Sequence, residues 1–129
     1  MVTFILGDFV NKFNLGLRRK TKQIRLPFSK VIVKFLMFFF NIGLIFSFNM
    51  EKGFLNVFFK YYYGKSIIKK LRLLSTPSRR IYWNLNKIKR YKNSKGFNLV
   101  IISTYEGLML SVDCLRKRIG GEPLIEVIF

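Results

Sequence analysis

The sequence contains no histidine and no alanine, a single cysteine, three prolines and only six acidic residues. Without histidine there is no Ser–His or Cys–His pair to activate a nucleophile. General acid–base work would fall to six scattered carboxylates, Asp8, Glu51, Glu106, Asp113, Glu122 and Glu126. An enzyme is therefore not expected. The lone Cys114 excludes an internal disulfide and any multi-cysteine zinc site. Its place between Asp113 and Leu115 in a short predicted helix reads as a buried filler. No cofactor, metal or small-molecule substrate is expected.

What is present is cationic and aromatic. The 129 residues carry 24 Lys and Arg, a net charge of +18 that internal pairing cannot cancel. Such a field favours a polyanion, and nucleic acid is the leading partner, because each neutralised phosphate releases condensed counterions. An anionic membrane surface is the rival. A hydrophobic fraction of 50% separates the chain from a solvated polybasic tail, and its length suits one core or two small ones. Phe, Ile, Lys, Asn and Tyr are heavily used, all residues with AT-rich codons. The expectation is an AT-rich genome and a mitochondrion, with a plastid or an AT-rich bacterium as alternatives. No arginine- and alanine-rich transit segment precedes the first apolar stretch, as expected of a protein made where it is used.

Along the chain, Phe9, Val10, Phe13 and Leu17 recur at helical spacing behind Asp8, predicting a helix over residues 4–17. The basic run Arg18 to Arg25 leads into an extended piece, Gln23 to Leu26. A second helix follows, with Ser29 as its cap and Gly43 as its left-handed stop. The stretch from Val31 to Phe48 is the most apolar. Lys34 and Asn41 interrupt it, Gly43 divides it, its longest uncharged run is shorter than the roughly 20 residues a bilayer span requires, and it reads as a buried helix followed by a buried strand, Leu44 to Phe48. Phe54 to Tyr62 is expected to pair with Ser66 to Leu73 across the turn at Tyr63, Gly64 and Lys65. A small mixed sheet with helices on one face results.

Turn formers cluster at Ser75, Thr76, Pro77 and Ser78, and the boundary between two lobes is placed there. Beyond it, Arg80 to Leu85 reads as extended, Asn86 to Lys95 as a basic loop and Phe97 to Ser103 as a buried strand. A short helix, Ser111 to Lys117, and a terminal strand, Leu124 to Phe129, close the chain. The fold class is α/β (α+β). A helix-strand-helix-strand-strand lobe over residues 1–74 precedes a mostly antiparallel β lobe with one short helix over residues 75–129.

Ser103, Thr104, Tyr105, Glu106, Gly107, Leu108 and Met109, followed by Ile119, Gly120, Gly121, Glu122 and a terminal apolar strand, give the chain a specific signature. With Ser75, Pro77, Arg79, Arg80 and Tyr82, and with Pro27, Ser29 and Lys30, the sequence resembles the small-subunit ribosomal protein eight family over nearly its whole length. The resemblance implies a two-lobed protein that binds the central domain of small-subunit ribosomal RNA directly and helps neighbouring ribosomal proteins assemble. It implies no reaction. The RNA contacts it carries over are Ser103, Thr104, Tyr105, Glu106, Gly107, Gly121 and Glu122, with Arg79, Arg80, Tyr82 and Lys30.

The residues themselves leave alternatives open. Ser103 and Thr104 can meet an RNA 2′-hydroxyl or merely terminate a strand. Arg79 and Arg80 can bind phosphate or form a solvated turn. Tyr105 and Glu106 depart from the family's Ser and Lys. An aromatic therefore stands where a small hydroxyl is usual, able to stack on a base, and an anion replaces a cation. Tyr61, Tyr62 and Tyr63 between Lys60 and Lys65 can form a stacking platform or simply alternate across a hairpin strand. The alternative from another class is an organellar membrane-associated protein anchored through residues 31–48.

Overall fold

A computed structural model of the chain describes residues 5–95 and 98–129. Phe4 and Phe97, which the sequence places at the starts of the first helix and of a strand, lie outside them. The chain divides into two compact units, Met1–Lys70 and Leu71–Phe129, both of mixed α+β character.

The first unit opens with α1 (Ile5–Arg18), which buries Leu6, Phe9, Val10, Phe13 and Leu17 on one face, with Asp8 in its first turn. It continues through β1 (Gln23–Pro27), α2 (Lys30–Asn41), β2 (Ile45–Glu51) and β3 (Phe54–Phe59). In α2 the residues Ile32, Phe35, Leu36 and Phe39 are buried, the i, i+3, i+4, i+7 pattern of a one-sided helix. Ser29 stands at the helix N-cap, yet its side chain makes no capping hydrogen bond, contrary to the sequence expectation. The other end closes as expected. The Gly43 N–H donates to the Phe40 carbonyl at 3.1 Å and the Leu44 N–H to that of Phe39 at 2.8 Å, with Gly43 at φ +83°. This is the Schellman closure that a left-handed glycine permits.

The sheet of this unit runs β1-β3-β2 and is antiparallel throughout, correcting the expectation of a mixed sheet. Its partners also differ from the sequence reading. β3 lies between β1 and β2, whereas only Tyr61–Tyr62 (β4) and Lys65–Ser66 (β5) form the anticipated tyrosine hairpin. The remainder, Lys70–Leu73 (β6), joins the sheet of the second unit instead. β2 is an edge strand, with Phe46 and Met50 exposed, so it is not the buried strand its apolar run suggested. Leu26, Leu55, Val57 and Phe59 point inward. The rings of Phe9, Phe13, Phe39 and Phe59 meet with centroids 4.9–6.1 Å apart, several edge-on, the geometry aromatic quadrupoles prefer.

No helix among the described residues is long and apolar enough to cross a membrane. Residues 31–48 divide between α2 and β2, and α2 has 12 residues, about 18 Å at the α-helical rise.

In the second unit a four-stranded sheet runs β6-β9-β7-β8, formed with β7 (Leu99–Thr104), β8 (Gly107–Leu110) and β9 (Glu122–Ile128). The segment expected to be a basic loop is a helix, α3 (Leu85–Lys95). Its cause is legible. The Asn84 side-chain oxygen accepts the Lys87 N–H at 2.9 Å, an N-cap. Ile88 and Tyr91, three apart, both pack on the core formed by Trp83, Val100, Ile102, Met109 and Cys114. The seven-residue helix α4 (Ser111–Lys117) ends with Arg118 in the left-handed region.

Candidate nucleic-acid interface

β7 and β8 are joined by a tight turn at one end of the four-stranded sheet. Thr104 pairs with Gly107 across it, leaving Tyr105 and Glu106 as the connection. Gly107 has φ +110°, so the bend falls where no side chain resists it. The Thr104 hydroxyl donates to the Gly107 carbonyl at 2.9 Å and accepts the Glu106 N–H at 3.2 Å. It therefore fixes the turn from within. The Ser103 hydroxyl makes none of the described hydrogen bonds, and its residue is half-buried on the strand leading into that turn. Tyr105 projects from the tip, 84% exposed. The Glu106 carboxylate lies 3.3 Å from the Lys117 ammonium of α4, so the anion at the position where the family prefers a cation has a cation beside it.

Ser103 lies directly opposite Glu122 on β9. The Glu122 carboxylate accepts from the Ser75 hydroxyl at 2.6 Å and from the Arg80 guanidinium at 3.1 and 3.3 Å. The Ser75 oxygen in turn accepts the Ile81 N–H at 3.2 Å. One carboxylate thus holds the segment from Ser75 to Ile81 against the sheet end. Between these anchors a two-residue turn, Pro77–Ser78, is closed by reciprocal backbone bonds between Thr76 and Arg79. Arg79 and Tyr82 are exposed.

Gly121 sits where the chain enters β9. Its backbone exchanges two hydrogen bonds with Trp83, at 2.9 and 3.1 Å. A Cβ there would lie 2.4 Å from the Ser103 carbonyl oxygen and 2.8 Å from the Ile102 methyl. Only glycine allows that approach.

The structure therefore brings Ser103, Thr104, Tyr105, Glu106, Gly107, Gly121, Glu122, Arg79, Arg80 and Tyr82 into one unit, most of them at one sheet end. Lys30, exposed at the start of α2, belongs to the other unit. Sequence reasoning counted Ser75 among four turn formers and in the family signature, but not among the site residues. Its near-complete burial, 2% exposed, depends on Glu122, 47 residues away in the chain, and no local pattern signals that pairing. Lys117 was missed for the same reason.

A strongly cationic α+β chain presenting hydroxyls, guanidiniums and tyrosines at one sheet end has the features of an RNA-binding protein. Residues 5–128 match the family model described as Ribosomal protein S8. The chain is 34% identical over 132 residues to the small ribosomal subunit protein uS8 of Campylobacter jejuni (strain RM1221), covering 98% of this chain and 99% of that relative. The uS8 proteins of Campylobacter lari, at 35% over 133 residues, and of Helicobacter pylori (strain Shi470), at 30% over 132, are similar over the same shares. The chain belongs to the ribosomal protein S8 family, whose members are structural, non-enzymatic constituents of the small ribosomal subunit.

Proposed function

We propose that the chain docks on the central domain of small-subunit ribosomal RNA through the sheet end of its C-terminal lobe, residues 75–129, in a mitochondrial ribosome. The observation that carries this reading is the uncommitted Ser103 hydroxyl beside a turn fixed by Thr104, opposite a carboxylate that organises Ser75 and Arg80. A rigid corner of this kind presents short donors to the 2′-hydroxyls of an RNA minor groove, where shape is read. Arg79, Arg80, Tyr82 and Lys30 supply backbone contacts that position the protein. Thr104, Gly107, Gly121 and Glu122 act by building the corner, and Tyr105 covers a base or sugar next to it. Neighbouring small-subunit proteins assemble on the remaining surface, with the 1–74 lobe as the second body of the molecule. The mitochondrial assignment rests on a composition weighted toward residues with AT-rich codons.

Binding of a transcribed central-domain fragment, compared with an unrelated stem of equal length, tests the docking site. The Ser103→Ala chain is expected to bind the two more nearly alike, and unchanged preference would remove Ser103 from the interface. Co-sedimentation with small subunits from fractionated mitochondria tests the compartment.

A further inference from the structure

The tyrosine hairpin of the first unit plays no part in the corner described above. Its three tyrosines do different things. The Tyr61 hydroxyl donates to the Thr21 carbonyl and anchors β4 to the unit. Tyr62 and Tyr63 turn outward, 69% and 88% exposed, and touch each other edge-on with ring centroids 4.4 Å apart. They do not simply alternate across a strand. Tyr63 also holds φ +52°, a left-handed conformation that a bulky side chain resists. Glycine or asparagine would fit that position with less strain, so an aromatic there runs against the local backbone preference.

The surroundings are cationic. Lys60 and Lys65 flank the tip, Lys60 donating to the Gly43 carbonyl at 3.4 Å. Among the described residues neither lysine has an acidic partner. Beside the hairpin lies an open concavity of about 640 Å³ lined by Lys60, Tyr61, Tyr62, Lys65, Ser66 and Ile67. Exposed rings, ammonium groups without an acidic partner and a wide opening are the elements of a single-strand stacking platform. The rings take bases of any identity, and the cations follow the phosphates.

We propose that Tyr62 and Tyr63 form a second RNA contact, a stacking finger that takes an unpaired nucleotide from a loop, bulge or strand end. Paired A-form RNA offers no free base face to such rings, because its bases are stacked and its major groove is too narrow to enter. The inference rests on the protein working on RNA but not on the Ser103 corner. Sequence preference is set by the RNA strand's freedom to unstack, and not by hydrogen bonds from the tip.

The full chain is titrated with a labelled oligouridine of about ten nucleotides, within the usual span of such sites, and with a blunt-ended, fully paired RNA duplex. Tyr62→Ala with Tyr63→Ala is expected to weaken oligouridine binding about five- to a hundredfold, the range for losing stacking on aromatic rings. Duplex binding and the protein's melting temperature should stay unchanged, since both rings lie outside the core. Tyr62→Phe with Tyr63→Phe should keep oligouridine affinity. The proposal is overturned if the alanine pair binds oligouridine normally, if it loses duplex binding equally, or if the phenylalanine pair fails as badly as the alanine pair. Loss of binding to anionic phospholipid vesicles, with RNA affinity intact, would also overturn it in favour of a membrane contact. Ser103→Ala, titrated with these probes and with the central-domain fragment, separates the two sites. If only its central-domain preference proves unaffected, the corner reading fails and the finger stands.

Discussion

The Ser75 hydroxyl donates to the Glu122 carboxylate at 2.6 Å across 47 residues of sequence, and the same oxygen accepts the Ile81 amide. That one side chain joins the segment before Arg80 to the strand opposite Ser103. Ser75→Ala would strand a partly buried amide and remove a donor from Glu122. Such losses cost about 1 to 3 kcal/mol. Urea unfolding should show a drop of that order, and trypsin should cut faster after Arg79 and Arg80. Unchanged stability and cleavage would mean that the network does not hold the segment.

Gly121→Ala should be far more damaging than its size suggests. The added methyl would meet the backbone oxygen of Ser103 at 2.4 Å, and a backbone atom paired within the sheet cannot swing aside. A loss of at least about 3 kcal/mol is expected, with Trp83 fluorescence reporting it because Trp83 bonds to Gly121. Gly53→Ala offers a comparison. It meets nothing within 4 Å but sits at φ +78°, so a smaller cost of about 1 to 2 kcal/mol is expected.

Phe39 is fully buried and its ring meets those of Phe9 and Phe13. Phe39→Ala should cost about 3 to 5 kcal/mol, as for other core phenylalanines, read from the thermal loss of far-ultraviolet ellipticity. Phe40→Ala, next to it on the half-exposed side of α2, should cost well under half as much.

Burial, with Asp113 nearby as the smaller cause, pushes the Cys114 thiol above its ordinary value of 9.0, and burial pushes the Tyr61 phenol above 10.0. A raised folded-state value means that the native chain holds these protons more tightly than the unfolded chain. Their contribution is therefore complete below about pH 9 and falls away as pH rises through the folded values. Stability should decline on the alkaline side. Cys114→Ala and Tyr61→Phe should each flatten that decline, whatever they do to stability at neutral pH. A native thiol should also resist a disulfide reagent until denaturant is added.

RNA affinity should fall steeply with salt. If six or more phosphates are engaged, the loss between about 50 and about 200 mM salt is on the order of a thousandfold or greater. Arg79→Gln should weaken binding to every RNA similarly and reduce the slope by about one contact. An RNA-dependent effect on preference would instead place Arg79 at a base edge.

Much of the first unit could be read from period alone. The residues Phe9, Val10, Phe13 and Leu17, and then Ile32, Phe35, Leu36 and Phe39, repeat at a spacing that only a helix turns to one side. Gly43 stops α2 because left-handed closure is a local property. α3 was hidden by its charge: Lys, Arg and Asn dominate it, and only the Asn84 cap with Ile88 and Tyr91 betrays a helix. Strand pairing was misread for a different reason. Ser66 to Leu73 is as good a hairpin partner for β3 as β2 is by composition. The choice is made by which sheet can bury Leu71, and β6 takes its place beside β9.

By itself the sequence determined the need for a polyanionic partner, the absence of histidine-based chemistry, the helices of the first unit and the family signature from Ser103 to Glu122. Each of these depends on residue identity or on spacing within one element. Only the tertiary structure decided that Glu122 organises Ser75 and Arg80, that Thr104 spends its hydroxyl inside the turn while Ser103 does not, and that Tyr62 and Tyr63 face outward while Tyr61 is anchored. Those outcomes depend on which distant groups compete for the same few hydrogen bonds and the same buried space, and chain order does not record that competition.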